Sequence, residues 1–504
     1  MSGILGSALA GDMLLVGAVI LPLFALPPLL LAPPRLAERL SVLVLLASLL
    51  VALALAARVG ADGAALATFI GGWRPPLGVG LRADGFSAFM LVMTAVVLFA
   101  TGLFAMTTPG AAPGRVARGR MPPAFWMLLA SVFSALNLVF LAEDLFTLYV
   151  ALELLTFAAV PLVCLDGKLA QVEAALRYLL FALFGSVLYL LGAVIIYGLY
   201  GTLDIILVAR AASASPGFVL ALAAMSVGMM AKAALFPLHL WLPPAHSGAP
   251  PAASAMLSAV VIKAPIFLLV RFWLDLAPTG LAVAVAPVLA GLGAAAILVG
   301  SLVALAQPRL KLLIAYSTAA QIGYLFLMFP LAVVASPWSA LAWTGGALHL
   351  ASHAFSKAAM FMAAGLMAEA LGHDRISGLS GVGRAVPVAL VAFGLGGLSL
   401  MGLPPAGGFI AKVMLLSAAI HLDAWWIAAV ILAGGLLAGG YVLKVVGLAL
   451  QRPAEPLAVR PVARWREWVA LALALVAVGF GFVPLEPSSF LFIGRPASWA
   501  GLVP

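Results

Sequence analysis

MMAKAALFPLHLWLPPAHSGAPP, residues 229–251, decides how this chain is read. It places Lys232 inside an apolar run and follows it with an LPP element. Proline removes a backbone donor and clashes with the preceding turn, so it interrupts a helix. An interrupted helix at membrane depth is tolerated only where protein or a water-filled cavity surrounds it. LMGLPPAGGFIAKVMLL, residues 400–416, likewise places a lysine, Lys412, near an LPP element inside an apolar run. Two interrupted segments in corresponding places point to a transporter built from inverted repeats.

Composition supplies the solvent. The 504 residues are 65% hydrophobic and 9% charged, with a mean hydropathy of +1.22. A soluble domain carries roughly 25% charged residues, so the solvent for most of this chain is the lipid bilayer. Crossing a core of roughly 30 Å takes about 20 apolar residues. Fourteen candidate spans centre near residues 22, 48, 95, 131, 154, 187, 230, 263, 291, 322, 354, 400, 437 and 475. The expected fold is an all-α polytopic membrane protein of about 14 transmembrane helices, with two inverted five-helix repeats that each contain a broken helix. The expected divisions are residues 1–121 (helices 1–3 and a hairpin), 122–277 (first repeat), 278–450 (second repeat) and 451–504 (a basic loop and a last helix).

The net charge of +9 does not indicate nucleic acid, because the basic residues are spread thinly between apolar runs. They act as topology signals. With the amino terminus outside, the inward loops hold Arg35, Arg39, Arg115, Arg118, Arg120, Lys168, Arg177, Arg309, Lys311, Arg375, Arg384, Arg452, Arg460, Arg464 and Arg466. The outward side holds Arg58, Arg74, Arg82, Arg210, Arg271 and Arg495. Fifteen against six is the bias of the positive-inside rule. A multi-pass protein of the cytoplasmic membrane, with both termini outside, is expected. Met1 to Asp12 lacks the basic region of a cleavable signal, so the first apolar stretch is expected to stay as a helix. GGWRPPLGVGLRADG, residues 71–85, reads as an outward turn or short hairpin. The single Cys164 excludes an intramolecular disulfide and any CxxC site.

Glu153, Lys232, Lys263, Lys357, Lys412 and Lys444 lie within apolar runs. A lysine at a helix centre costs roughly 2.5–3.5 kcal/mol on insertion scales, so such charges pair, face a cavity or relay protons. Lys444 lies near a helix end and is expected to snorkel. Lys357 follows His353 by one helical turn and could serve either role. Glu153, Lys232, Lys263 and Lys412 are further from the ends and are expected to be functional.

His349 and His353, in LHLASHAFSK, share one helix face at i,i+4 spacing. Zinc binding is poorly served, since HLASH lacks the glutamate of HExxH. Haem ligation would need a second helix, which His239 or His246 could supply. A proton relay fits imidazole, which accepts and donates near neutral pH, and a plain polar contact also remains open. His373 and His421 fall near helix ends and are expected to be solvated. GVGRAV, residues 381–386, lacks the third glycine and the preceding strand of a nucleotide site.

An ordered series of segments then suggests a family. It comprises GWRPPLGVGLRADGFSA, EDLFTLYVALELL, ALRYLLFALFGSVLYLLG with YGTLD, KAALFPLHLWLPPAHSGAP, SAVVIKAPIFLLVR, LKLLIAYSTAAQIGY, HLASHAFSKAAMFMAAG and GLPPAGGFIAK. The chain resembles, over nearly its whole length, the antiporter-like membrane subunits of respiratory complex I, group 4 membrane-bound hydrogenases and multisubunit Na⁺/H⁺ antiporters. The resemblance implies fourteen helices with two inverted five-helix repeats. It implies that Glu153 pairs with Lys232, that Lys263 links two half-channels, and that His349 and His353 belong to the central axis. It places Lys412 where the family carries a lysine or glutamate. Lysine there is similar to the N-, L- and D-type subunits, and the chain leans toward the D-type or hydrogenase subunit.

The function so implied is proton translocation along a Glu/Lys/His relay, from Lys232 to Lys263 and through His349 and His353 to Lys412, driven by a partner module. Alternatives are the D-type subunit of a Na⁺/H⁺ antiporter, a membrane subunit of energy-coupled inorganic carbon uptake, a quinone-reactive enzyme and a structural anchor. Partners would be other membrane subunits, including further antiporter-like chains, and a peripheral redox module. The transported ion would be H⁺, with Na⁺ as the other candidate. No cofactor or metal is expected in this chain, and it need perform no covalent chemistry even inside a dehydrogenase complex.

Overall fold

The computed structural model of the protein describes residues 2–106, 121–453 and 459–495, with side chains from residue 11 onward. Arg115, Arg118 and Arg120, read above as inward signals, lie outside the described residues. Twelve helices among the described residues are long and apolar enough to cross a membrane. They are α1 (Gly11–Leu31), α2 (Pro34–Asp62), α3 (Gly85–Ala105), α4 (Pro123–Leu141), α5 (Leu145–Cys164), α6 (Leu169–Tyr200), α9 (Pro251–Leu276), α10 (Thr279–Ala306), α11 (Leu310–Ala332), α12 (Pro337–Leu371), α15 (Trp425–Leu450) and α16 (Arg464–Phe482). The shorter α7 (Pro216–Lys232) and α8 (Leu242–Gly248) fill the first interrupted segment. α13 (Pro387–Met401) and α14 (Gly407–His421) fill the second. Each centre read from the sequence falls inside one of these helices, but twelve rather than fourteen are long enough to cross unaided.

Local chemistry sets the helix starts. Carboxylates of Asp84, Asp144 and Asp204 accept from the backbone N–H groups of Ser87, Thr147 and Leu207 at 2.8, 2.7 and 2.8 Å, capping donors that the first turn leaves orphaned. Prolines open α2, α4, α7 and α12, where the missing N–H costs nothing. The expected outward turn is a hairpin that begins earlier than 71. Its strands Leu66–Phe69 and Gly80–Ala83 are antiparallel, with Leu66 opposite Ala83.

The core is built from α9, α11 and α12, of which α9 is buried from Ala252 to Val270. α6 instead presents Leu176, Leu180, Phe184, Val187, Leu191 and Val194 on its exposed face, a surface suited to lipid or to another apolar helix. α6 and α7 touch through glycines: a Cβ on Gly228 would lie 2.3 Å from the Gly185 carbonyl oxygen. Small residues let backbones approach closely enough for their polar side chains to converge.

Both proline-rich interruptions are present. After α7 the chain turns through Ala234, at φ 54°, and Phe236–Pro237 is cis. Trp241 Nε1 reaches back to the Ala231 carbonyl at 2.9 Å, satisfying an acceptor freed by the break. After α13, Gly402 adopts φ 80°, and a Cβ there would lie 2.7 Å from Lys412 Cδ. Glycine is therefore required for both its backbone angle and its bareness. α9 is irregular in another way: Leu257–Val261 and Arg271–Leu276 are π-helical, on either side of an α-helical stretch that starts at Lys263. Single π turns inside α-helices are uncommon and cluster at functional places.

Candidate functional site: a buried polar axis

Glu153 on α5 and Lys232 at the end of α7 meet as the sequence suggested, with Lys232 Nζ 3.4 Å from Glu153 Oε1. Lys232 also donates to Thr156 Oγ1 at 2.9 Å, and Ser186 Oγ donates to Glu153 Oε1. Three helices thus converge on one ion pair, which the Gly185–Gly228 approach makes room for. Glu153 retains 16% side-chain exposure and Lys232 only 6%.

Lys263 is fully buried on α9. Its Nζ donates to the Ser258 carbonyl at 2.9 Å, an acceptor of the neighbouring π turn, and lies 2.7 Å from His353 Nδ1. Which of the two nitrogens donates across this contact follows from the tautomer of His353. His349 and His353 lie on α12 with ring centroids 6.2 Å apart and planes within 9°. His349 Nε2 is 3.2 Å from the Gln321 carbonyl oxygen, and its ring is 5.1 Å from that of Tyr324. Lys412 Nζ lies 4.3 Å from the Tyr324 ring centroid and donates to the Leu400 and Met401 carbonyls at 2.7 and 3.4 Å. Those are the last carbonyls of α13, which otherwise have no helical partner.

The spatial order corrects one sequence expectation. His353, not His349, stands beside Lys263, so the axis runs Lys263, His353, His349, Tyr324, Lys412. Among the described residues no hydrogen bond joins Lys232 to Lys263. The supposed haem partners make other ring contacts: His246 stacks on Phe361 at 4.8 Å, and the His239 ring lies 6.3 Å from Tyr316.

Sequence reasoning undervalued Lys357. It is fully buried and donates to the Ile314 carbonyl at 3.1 Å and to Ser317 Oγ. The signal was its i,i+4 spacing from His353, which continues the ladder begun by His349. Lys444 is exposed and donates to the Leu305 carbonyl at 2.8 Å.

A second charged region was missed. Arg82, Arg271 and Arg495, read above as outward topology signals, gather at the hairpin end with Asp84, Glu143 and Asp275. Arg271 Nη1 lies 2.7 Å from Asp84 Oδ2 and 2.8 Å from Asp275 Oδ2. Arg82 reaches Asp84 and Glu143 at 3.6 Å each, and Arg495 pairs with Asp275. Burial pushes the Asp84 carboxyl up, but the Arg271 guanidinium beside it, helped by Arg82 and Arg495, holds it well below the usual carboxylate range. Burial raises Glu143, and Arg82 offsets this only in part. A cavity of about 570 Å³ opens here. Another of about 740 Å³, lined by Asp166, Lys168, Gln171, Arg309 and Lys311, opens at the opposite end.

With this geometry in place, comparison with known proteins is informative. The family model described as NADH:quinone oxidoreductase/Mrp antiporter, TM, matches residues 142–438. NADH-quinone oxidoreductase subunit N of Desulforudis audaxviator (strain MP104C) is 33% identical over 437 residues, covering 83% of each chain. The D-type subunit of the Na(+)/H(+) antiporter of Alkalihalophilus pseudofirmus is 29% identical, covering 75% of this chain and 74% of its own. A chain in the structure of the Mrp complex from Dietzia sp. DQ12-45-1b superposes with a TM-score of 0.84 at 25% identity, covering 98% of this chain and 99% of that one.

Proposed function

We propose, from the premise that the chain belongs to the NADH:quinone oxidoreductase/Mrp antiporter transmembrane family, that it moves protons along a buried relay driven by a partner module. The chain is an antiporter-like membrane subunit of that family. The relay comprises Glu153, Lys232, Lys263, His353, His349 and Lys412. One observation carries the reading: the Lys263–His353 contact of 2.7 Å sits inside an axis of buried, titratable groups.

The chemistry follows from burial. An ammonium in an apolar interior loses hydration, and a nearby carboxylate restores part of that loss. Among the described residues Glu153, at 3.4 Å, is the one carboxylate paired with Lys232. Withdrawal of Glu153 favours release of the Lys232 proton toward Lys263, and return of Glu153 favours reloading. Lys263 can pass a proton across 2.7 Å to His353, and His349 carries it on toward Lys412. Water admitted by the two interruptions bridges the longer gaps.

The finer architecture belongs to the same proposal. The twelve long helices, with each interrupted segment counted as a crossing, support fourteen crossings. Residues 122–277 and 278–450 act as inverted five-helix repeats, flanked by 1–121 and 451–504. Each repeat holds one interruption with a lysine beside it: Lys232 ends α7 and bonds to Thr156 of α5, and Lys412 of α14 bonds to the Leu400 carbonyl at the end of α13. The protein sits in the cytoplasmic membrane with both termini outside, among further membrane subunits, including antiporter-like chains, and a peripheral redox module that supplies energy. The test is Lys232→Ala in the complex reconstituted into vesicles. Proton flux should fall to background with assembly unchanged, and wild-type flux sinks the relay.

A second reading, the D-type subunit of a Na⁺/H⁺ antiporter, is favoured by the near full-length match to the Mrp complex chain. Purification from native membranes separates the two. Flavin or iron–sulfur partners support the redox-driven pump, whereas only small hydrophobic chains and Na⁺-dependent proton flux support the antiporter.

A further inference from the structure

Arg495 is far from the relay in sequence, yet its side chain is 2% exposed. Its guanidinium touches two relay helices at once. It pairs with Asp275 of α9, the helix of Lys263, and lies 3.9 Å from the ring centroid of Trp343 on α12, the helix of both histidines. The segment that carries it is seated by its backbone. Ser488 N donates to Thr344 Oγ1 at 3.0 Å, Trp343 Nε1 to the Leu491 carbonyl at 3.4 Å, and Gly85 N to the Ile493 carbonyl at 3.0 Å. Arg82 adds a bond to the Gly494 carbonyl. The fit is tight: a Cβ on Gly85 would lie 1.8 Å from the Phe490 carbonyl oxygen.

Asp275 sits in the π-helical turn Arg271–Leu276. A π turn holds one residue more than an α turn and persists where tertiary contacts hold it. Relaxation to α geometry would turn the adjoining helix by about one residue, or about 100°. Several contacts oppose that rotation. Arg271 bridges Asp84 and Asp275 and donates to Ser87 Oγ at 3.0 Å. Phe267, one helical turn beyond Lys263, stacks on Phe86 at 5.3 Å, and Phe86 packs edge-on against Trp343 at 4.8 Å. The contacts of Arg495 therefore close a loop that runs from α9 through Phe86 to α12 and back.

We propose that Arg495 and Asp275 are a positioning pair: the segment 488–495 clips α9 to α12 at the hairpin end and so sets the contact between Lys263 and His353. The proposal rests on the relay reading only in treating that contact as a proton-transfer step. The clip itself is a statement about α9.

The experiment compares Arg495→Gln with the conservative Arg495→Lys, which keeps a cation for Asp275 and for the Trp343 face, each in the assembled complex, by amide hydrogen exchange and by proton flux. Arg495→Gln should speed exchange over residues 266–276 at least about tenfold and lower flux about tenfold, and Arg495→Lys should stay close to wild type in both. Wild-type exchange in Arg495→Gln overturns the clip. Faster exchange with wild-type flux overturns positioning. An Arg495→Lys variant as impaired as Arg495→Gln shows that the charge pair is not what positions α9 and also counts against the pair. Lys263→Ala, run alongside, keeps the two proposals apart. Wild-type flux there removes the relay, while accelerated exchange in Arg495→Gln still upholds the clip.

Discussion

Two regions of the molecule bury clustered charge by opposite designs. At the hairpin end, Arg82, Arg271 and Arg495 are matched with Asp84, Glu143 and Asp275. Along the central axis, among the described residues, only Lys232 has a carboxylate partner; Lys263, Lys357 and Lys412 are held by carbonyls, a hydroxyl and an imidazole. Arginine keeps its proton at any physiological pH and grips carboxylates with a planar fork. Lysine is a point charge whose proton affinity falls when it is buried. The hairpin end is therefore anchored by cations that cannot change, and the axis is built of cations that can. In the proposed relay this fixed cluster sits beside a site that titrates, and the proposed clip of Arg495 and Asp275 joins the two.

The contrast breaks most readily at Lys263. Lys263→Arg keeps the charge but removes the ability to release a proton, so flux should fall by about 10²-fold or more, measured as acidification of reconstituted vesicles. Flux that survives would show that titration at this position is not needed. Next in size is Arg271→Met, which leaves Asp84 and Asp275 buried with weakened pairing. A loss of about 3–5 kcal/mol is expected for stranding buried charge, read as a lowered unfolding midpoint in detergent. A variant as stable as wild type would mean that the cluster is not structural.

A smaller effect is expected at Lys357. In Lys357→Met, Ser317 Oγ still donates to the Ile314 carbonyl at 2.8 Å, so no partner is stranded. The stability change should stay within about 1.5 kcal/mol, measured by the same unfolding midpoint. A much larger loss would reveal a structural ammonium and blur the contrast. The smallest effect belongs to Glu143. Its carboxyl is raised by burial, so the folded protein favours the protonated form. That contribution is fully present below the ordinary carboxylate range and is lost as pH rises through the raised value. Glu143→Gln should therefore lift the unfolding midpoint by about 1–2 °C at pH 8 and leave it unchanged at pH 4. A drop at pH 8 would mean that the pairing with Arg82 outweighs desolvation.

Much of the axis was legible because its members are out of place locally. A lysine in MMAKAALF or SAVVIKAP is conspicuous against its apolar neighbours, and intramembrane charge is functional by default. Lys357 was harder to read, since a lysine one turn beyond a histidine can extend a relay or snorkel. The hairpin-end cluster was not legible. Arg82 in a turn and Arg495 near the end of the chain look like ordinary loop cations, and only Arg271 with Asp275, at i,i+4 in RFWLD, carried a local hint.

By itself the sequence determined the solvent, the positions of the helices and both interruptions, because hydropathy and proline act over one span and need no distant partner. It also exposed the lysines that such spans exclude. Only the tertiary structure decided which charges meet. Lys263 finds His353 across 90 residues, and Arg495 finds Asp275 across 220. Contacts at such separations depend on how whole helices pack: the glycine approach of α6 to α7, the π turns of α9 and the seat of residues 488–495 on the hairpin end. None of these is encoded in the period of a single helix, which is why the order of the histidines and the purpose of the arginines emerged only once the helices were side by side.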